Sequence, residues 1–151
     1  MNQYPLVYLD HVQKVYGKHI ALYDVSVNIQ PGRIIGLLGP NGSGKTTIIK
    51  LVNGLLQPTS GNVYIHGQVP SAKTKQVVSY LPDTTYLDEN MKISETLRFF
   101  QDFYKDFNVQ RAYQLLNDLQ LHPEQKLKQL SKGNKEKVQL ILVMSREADL
   151  Y

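Results

Sequence analysis

Gly39-Pro40-Asn41-Gly42-Ser43-Gly44-Lys45-Thr46 follows the pattern G-x-x-x-x-G-K-[ST]. Glycines there let backbone N–H groups turn inward around phosphate oxygens, a lysine reaches the β- and γ-phosphates, and a threonine hydroxyl ligates Mg²⁺. With Thr47 beside them, these residues predict a binding site for a nucleoside triphosphate and its Mg²⁺. A pattern with four fixed positions arises by accident on the order of once in a hundred chains of this length.

Such a loop works only between a strand and a helix, and the flanking residues fit both. Arg33-Ile34-Ile35-Gly36-Leu37-Leu38 is a nearly continuous apolar run, which predicts a parallel strand buried on both faces. Beyond the loop, Ile48, Ile49, Leu51, Val52 and Leu55 fall at helical spacing over Thr46 to Leu55. The start of that helix would add its own unpaired N–H groups and partial positive charge to the phosphate site.

The rest of the chain divides by periodicity. Leu6-Val7-Tyr8-Leu9 and the alternating Val25, Val27 and Ile29 read as strands before Pro31-Gly32, as do Asn62–His66 and Val77–Leu81 later on. From Ile93 the apolar spacing becomes three or four. Ile93, Leu97, Phe100, Tyr104 and Phe107 predict one amphipathic helix, Val109–Leu121 a second, ended by His122-Pro123, and Lys132–Ala148 a third. The expected class is α/β, with a β part and phosphate-loop core over residues 1–90, a helical insert over 91–131, and a return helix over 132–151.

Composition narrows the chemistry further. The 151 residues include no cysteine, so disulfide and thiolate–metal sites are excluded, and the four histidines (His11, His19, His66, His122) stand too far apart for ligand spacing. A net charge of +4 suits a polyanionic ligand. The start of the chain has no basic, then apolar, leader, and its longest apolar run, near Val138–Met144, is too short to cross a bilayer. A cytoplasmic location is expected. Lys126, Lys128, Lys132, Lys135 and Lys137 form a basic cluster, but with no arginine or aromatic residue there to stack bases, a solvated face is expected rather than a nucleic-acid surface.

Three separated features then fall into one order: the phosphate loop, a strand ending in Leu81-Pro82-Asp83, and Leu130-Ser131-Lys132-Gly133-Asn134 opening the last helix. Together they resemble the ATP-binding subunit of ABC transporters, whose signature has the form L-S-G-G-Q. The resemblance covers the whole chain and implies a P-loop ATPase core with an N-terminal antiparallel β subdomain and a helical subdomain. It implies that Tyr16 stacks on adenine, and that Ser131, Gly133 and Asn134 meet the γ-phosphate of ATP held by a second copy. It places Asp83 where the family usually has a glutamine, as a Mg²⁺ contact beside Thr46, and Lys132 and Asn134 depart from the family signature. The implied partners are a second ATPase subunit and a membrane permease that would hold the protein at the inner face of the membrane, most resembling bacterial exporters of drugs or peptides.

The same resemblance implies a further strand ending in a Mg²⁺-organising aspartate and a catalytic glutamate. Arg146-Glu147-Ala148-Asp149-Leu150-Tyr151 looks like its approach, and no paired acidic residues follow an apolar run after Ser131. A truncated part of a subunit that couples ATP binding and hydrolysis to transport through a separate permease, hydrolysis-incompetent on its own, is therefore expected. Alternatives are a soluble ABC-type ATPase acting on nucleic acid or ribosomes, a small P-loop kinase, and a non-hydrolytic nucleotide-binding piece.

Overall fold

The computed structural model describes residues 4–151. The chain divides into two units, one ending at Lys75 and the other running from Gln76 to Tyr151.

The first unit is built on a three-stranded antiparallel sheet of order β2-β1-β3, from β1 (Val7–Tyr16), β2 (His19–Ile29) and β3 (Ser60–Ile65). In β1 the alternation buries Val7 and Leu9 and turns Tyr8 and Asp10 outward. His11 then breaks the alternation: it takes a left-handed conformation (φ 46°), pairing with β2 shifts register between Leu9 and Val12, and Val12 is buried in turn. On the outer face Tyr8 stacks against Tyr64 of β3 with centroids 6.1 Å apart. The sheet is paired by Val7 to Ile29 on one side and Val7 to Ile65 on the other.

Helix α1 (Lys45–Val52) follows the phosphate loop and buries Leu51. It ends at Gly54, in a left-handed conformation, whose N–H donates to the Leu51 carbonyl while Leu55 N–H donates to Lys50. The expected strand before the loop does not form. Residues 33–38 carry no strand pairing, Ile34 and Leu38 are almost wholly exposed, and Ile35 and Leu37 are exposed as well. A parallel strand buried on both faces needs hydrogen-bonded neighbours and covering helices. The only sheet of this unit among the described residues is the antiparallel one.

The second unit is helical. Helices α2 (Ile93–Phe103), α3 (Val109–Asp118) and α4 (Lys132–Met144) enclose a core that includes Leu97, Leu116, Leu127, Val138, Ile141 and Leu142. Each helix has a local reason to start. Glu95 accepts from Lys92 N–H at 2.7 Å, Asn108 from Arg111 N–H at 3.0 Å, and Ser131 from Asn134 N–H at 3.3 Å.

All three end earlier than periodicity predicts, α3 at Asp118 rather than Leu121. α2 stops at Phe103, and Phe107 reaches the core from a turn closed by its N–H on the Tyr104 carbonyl. α4 stops at Met144, after which the chain turns away, so that Asp149 and Leu150 N–H groups donate to the Val77 carbonyl and Ser79 N–H to Leu150. The strand expected over Val77–Leu81 is limited to this one parallel bridge, between Val78 and Leu150.

Arg146, 4% exposed, occupies that turn. Its guanidinium donates to both Asp106 oxygens, the nearer at 2.9 Å, to Val78 O at 2.8 Å and to Gln76 O at 2.9 Å, and lies 4.1 Å from the centre of the Tyr104 ring.

Candidate functional site

The phosphate loop packs onto the β1–β2 hairpin through Gly44, the residue that caps α1. Gly44 has φ 89°, and a Cβ there would lie 2.6 Å from Leu22 Cδ2 and 2.7 Å from the Ala21 carbonyl. Both the backbone conformation and the close approach to β2 therefore require glycine. A Cβ at Gly39 would lie 2.6 Å from Ser43 Oγ, so the loop is closed at its other end also.

Ser43 N–H donates to Pro40 O at 3.2 Å, and this turn brings both ends of the loop to Lys45. Lys45 Nζ donates to the carbonyls of Gly39 and Pro40, each at 2.7 Å, with Ser43 Oγ at 3.5 Å. The ammonium thus lies over the loop rather than out in solvent, as a cation must if it is to meet phosphate oxygens held by the same backbone.

Lys45 and Thr46 are the first two residues of α1, whose first turn carries no acidic residue. Thr46 is exposed. An all-protein cage for Mg²⁺ is not present, since no cluster of three or more His, Asp or Glu side chains occurs among the described residues. The loop fits Mg²⁺ in the other common way, through a hydroxyl plus the phosphates themselves.

Tyr16 ends β1 at the hairpin turn and is paired with His19, 45% exposed, with Lys14 Nζ 5.2 Å from its ring centre. Lys14 is paired with Leu22, the residue that touches the Gly44 position. Tyr16 stands two residues further along, about 7 Å at strand rise. Its exposed face is on the same hairpin end as the loop.

In the helical unit, Ser131 caps α4, and Lys132, Gly133 and Asn134 form its first turn. A Cβ on Gly133 would meet nothing within 4 Å, so packing within the chain gives no reason for glycine there. Lys135, one residue beyond Asn134, is tied to Glu89 at 2.5 Å, and Lys128 N–H donates to the Glu89 carbonyl at 2.8 Å. Glu89 was not singled out by sequence reasoning. Lying 46 positions away, it has no local pattern that announces it.

Asp83 is exposed in the loop after Pro82, and together with burial it raises the Tyr80 phenol above its ordinary value, burial being the larger cause. Of the basic cluster, Lys135 is committed to an ion pair, while Lys126 N–H donates to Gln129 Oε1 in a local turn.

Residues 22–151 match the protein family described as ABC transporter. The chain is 33% identical over 153 residues to the SkfA peptide export ATP-binding protein SkfE of Bacillus subtilis (strain 168), covering 97% of this chain and 64% of that protein. It is 31% identical over 151 residues to the zinc import ATP-binding protein ZnuC of Haemophilus influenzae, covering 99% and 53%. A solved ATP-binding subunit of an ABC transporter is similar with TM-score 0.85 and 27% identity, over 95% of this chain and 63% of that one. The dimeric structure of MJ0796, a bacterial ABC transporter cassette, shares the fold with TM-score 0.78 at 24% identity, over 94% and 70%. The chain spans less than two-thirds of the length of the two curated relatives. Among the described residues no helix is long and apolar enough to cross a membrane.

Proposed function

The chain belongs to the ABC transporter family, and from that membership we propose that it is the ATP-binding part of a subunit that couples ATP binding and hydrolysis to transport through a separate membrane permease. The observation that carries this reading is a pairing within one chain. A phosphate loop crossed by Lys45 precedes α1, and a serine-capped helix start at Ser131 leaves an open face at Gly133.

Under this reading, ATP lies with its phosphates against the backbone N–H groups of residues 39–47, Lys45 shifts from the loop carbonyls to the β- and γ-phosphates, and Tyr16 stacks on adenine. Stacking on a flat π-face confers little base selectivity, so nucleotide choice is loose at that end. Thr46 would hold Mg²⁺ through its hydroxyl. Bound Mg²⁺ supplies charge neutralisation across the phosphates. Ser131 and the first turn of α4, from a second copy, close on the γ-phosphate, which makes the site a property of the dimer. The fold likeness to a cassette described as dimeric supports that arrangement.

Hydrolysis also needs a carboxylate to take a proton from water, a contribution of roughly 10²–10⁴-fold. The residues named above serve binding and closure. Export is the proposed direction, supported by the Lys132-Gly133-Asn134 signature form and the peptide-export relative. Transport into or out of vesicles carrying the permease decides it against the import alternative.

Replacing Ser131 by alanine in the full-length protein tests the reading. Nucleotide affinity of the monomer stays within about twofold, while ATP-driven dimerisation weakens by about tenfold, the size of one charge-assisted hydrogen bond. Equal dimerisation by S131A and wild type contradicts it.

A further inference from the structure

Arg146 lies outside both motifs, yet it is the most heavily engaged side chain of the helical unit. Its partners come from two segments distant in sequence. Asp106 and Tyr104 belong to the corner between α2 and α3, while Gln76 and Val78 belong to the stretch leading to Asp83. Arg146 itself stands just beyond the C-terminal end of α4, the helix whose other end is Ser131.

The stability of α4 does not call for a buried ion pair. Val138, Ile141 and Leu142 already bury its inner face to 1% exposure or less. Apolar residues of similar volume commonly replace buried ion pairs with no loss of stability. What the guanidinium adds is direction, because its planar fork satisfies carboxylate and carbonyls only at one orientation. Lysine, a point charge with three donors, cannot reproduce that fork.

We propose that Arg146 is a positioning residue for the γ-phosphate end of the site: with Asp106 it fixes the angle at which α4 leaves the helical core, and hence where Ser131 meets the phosphate. This rests on the function proposed above. From Arg146 to Ser131 is about 22 Å at helical rise, so a tilt of about 5° at the anchor moves the serine by about 2 Å. Misplacement of a binding group by about 1 Å is enough to cost on the order of 10²-fold.

The test uses the full-length protein with R146K, D106N and the paired apolar replacement R146M/D106L, each compared with wild type and S131A. Three quantities are measured well below each melting temperature: the melting temperature itself, affinity for a fluorescent ADP, and ATP-driven dimerisation by sedimentation. The expected result is ADP affinity within twofold throughout and dimerisation weakened tenfold or more in R146K and D106N. R146M/D106L regains part of the melting temperature lost in the single variants, the Val78 and Gln76 carbonyls being left without their donor, but not the dimerisation.

Three outcomes overturn the proposal. They are unchanged dimerisation in the folded single variants, ADP affinity falling in step with dimerisation, or recovery of dimerisation together with stability in the double variant. Wild-type dimerisation that is indifferent to S131A overturns the functional reading itself, and the proposal with it. Sensitivity to S131A without sensitivity at Arg146 overturns the proposal alone.

Discussion

Gly133→Ala should make the protein more stable and less active at once. Gly133 is the second residue of α4, and a Cβ there would have nothing within 4 Å. Alanine in place of a helical glycine gains about 0.5–1 kcal/mol, mostly by restricting the unfolded chain, and the lower value suits a first-turn position. For a domain of this size about 0.5 kcal/mol raises the melting temperature by about 1–2 °C. Under the proposed function, however, the same methyl stands in the way of the γ-phosphate of a second copy's ATP at Ser131. Pushing the phosphate back by about 1 Å costs on the order of 10²-fold, or about 2.7 kcal/mol of transition-state stabilisation. Scanning calorimetry and steady-state ATPase assays on full-length G133A read the two quantities separately. A variant that is both stabilised and fully active refutes the reasoning, because glycine would then serve no incoming ligand. A destabilised variant refutes it too, by showing that the open space is not open.

Gly44→Ala should behave oppositely, since its Cβ overlaps Leu22 and the Ala21 carbonyl at φ 89°; a loss of about 2 kcal/mol or more, seen as a lowered melting temperature, is expected. Tyr16→Ala should weaken nucleotide binding by about 1–3 kcal/mol in a fluorescence titration, with Tyr16→Phe close to wild type because the ring and not the hydroxyl stacks. His11 should titrate above the ordinary imidazole value of 6.5 by NMR, because Asp24 accepts its hydrogen bond and adds a favourable charge, and Asp24→Asn should lower it. Since the raised pKa belongs to the folded state, what this pair contributes is complete below the unfolded value and is lost as pH rises through the folded one.

How much of this could be read in advance depended on how local the cause was. The helix after the phosphate loop was legible from its local apolar spacing, and the start of α4 from the run of residues that follows Ser131. The amphipathic spacing of Ile93, Leu97 and Phe100 located α2, since all three face one core. Phe107 fitted the same spacing and still lies beyond the helix, because a turn can deliver a side chain to the core as well as another helical turn can. Residues 33–38 show the limit of reading burial from apolarity: the run is as hydrophobic as a covered strand, but burial is decided by the neighbours that cover it. Arg146 and Asp106 stand 40 positions apart, so their pairing left no local signature.

The central claim is that each ATP site joins the phosphate loop of one copy to the signature helix of another, and mixing two inactive full-length variants tests it directly. Lys45→Ala removes the phosphate cation and Ser131→Ala the closing hydroxyl, so each alone should show little ATPase activity. On equal mixing with exchange, about half of the dimers are heterodimers, and each of those carries one intact site and one doubly broken one. Activity is predicted to recover to about a quarter of wild type, less if the two sites must fire together. No recovery above the separate variants, under conditions where exchange is verified, would contradict the shared site.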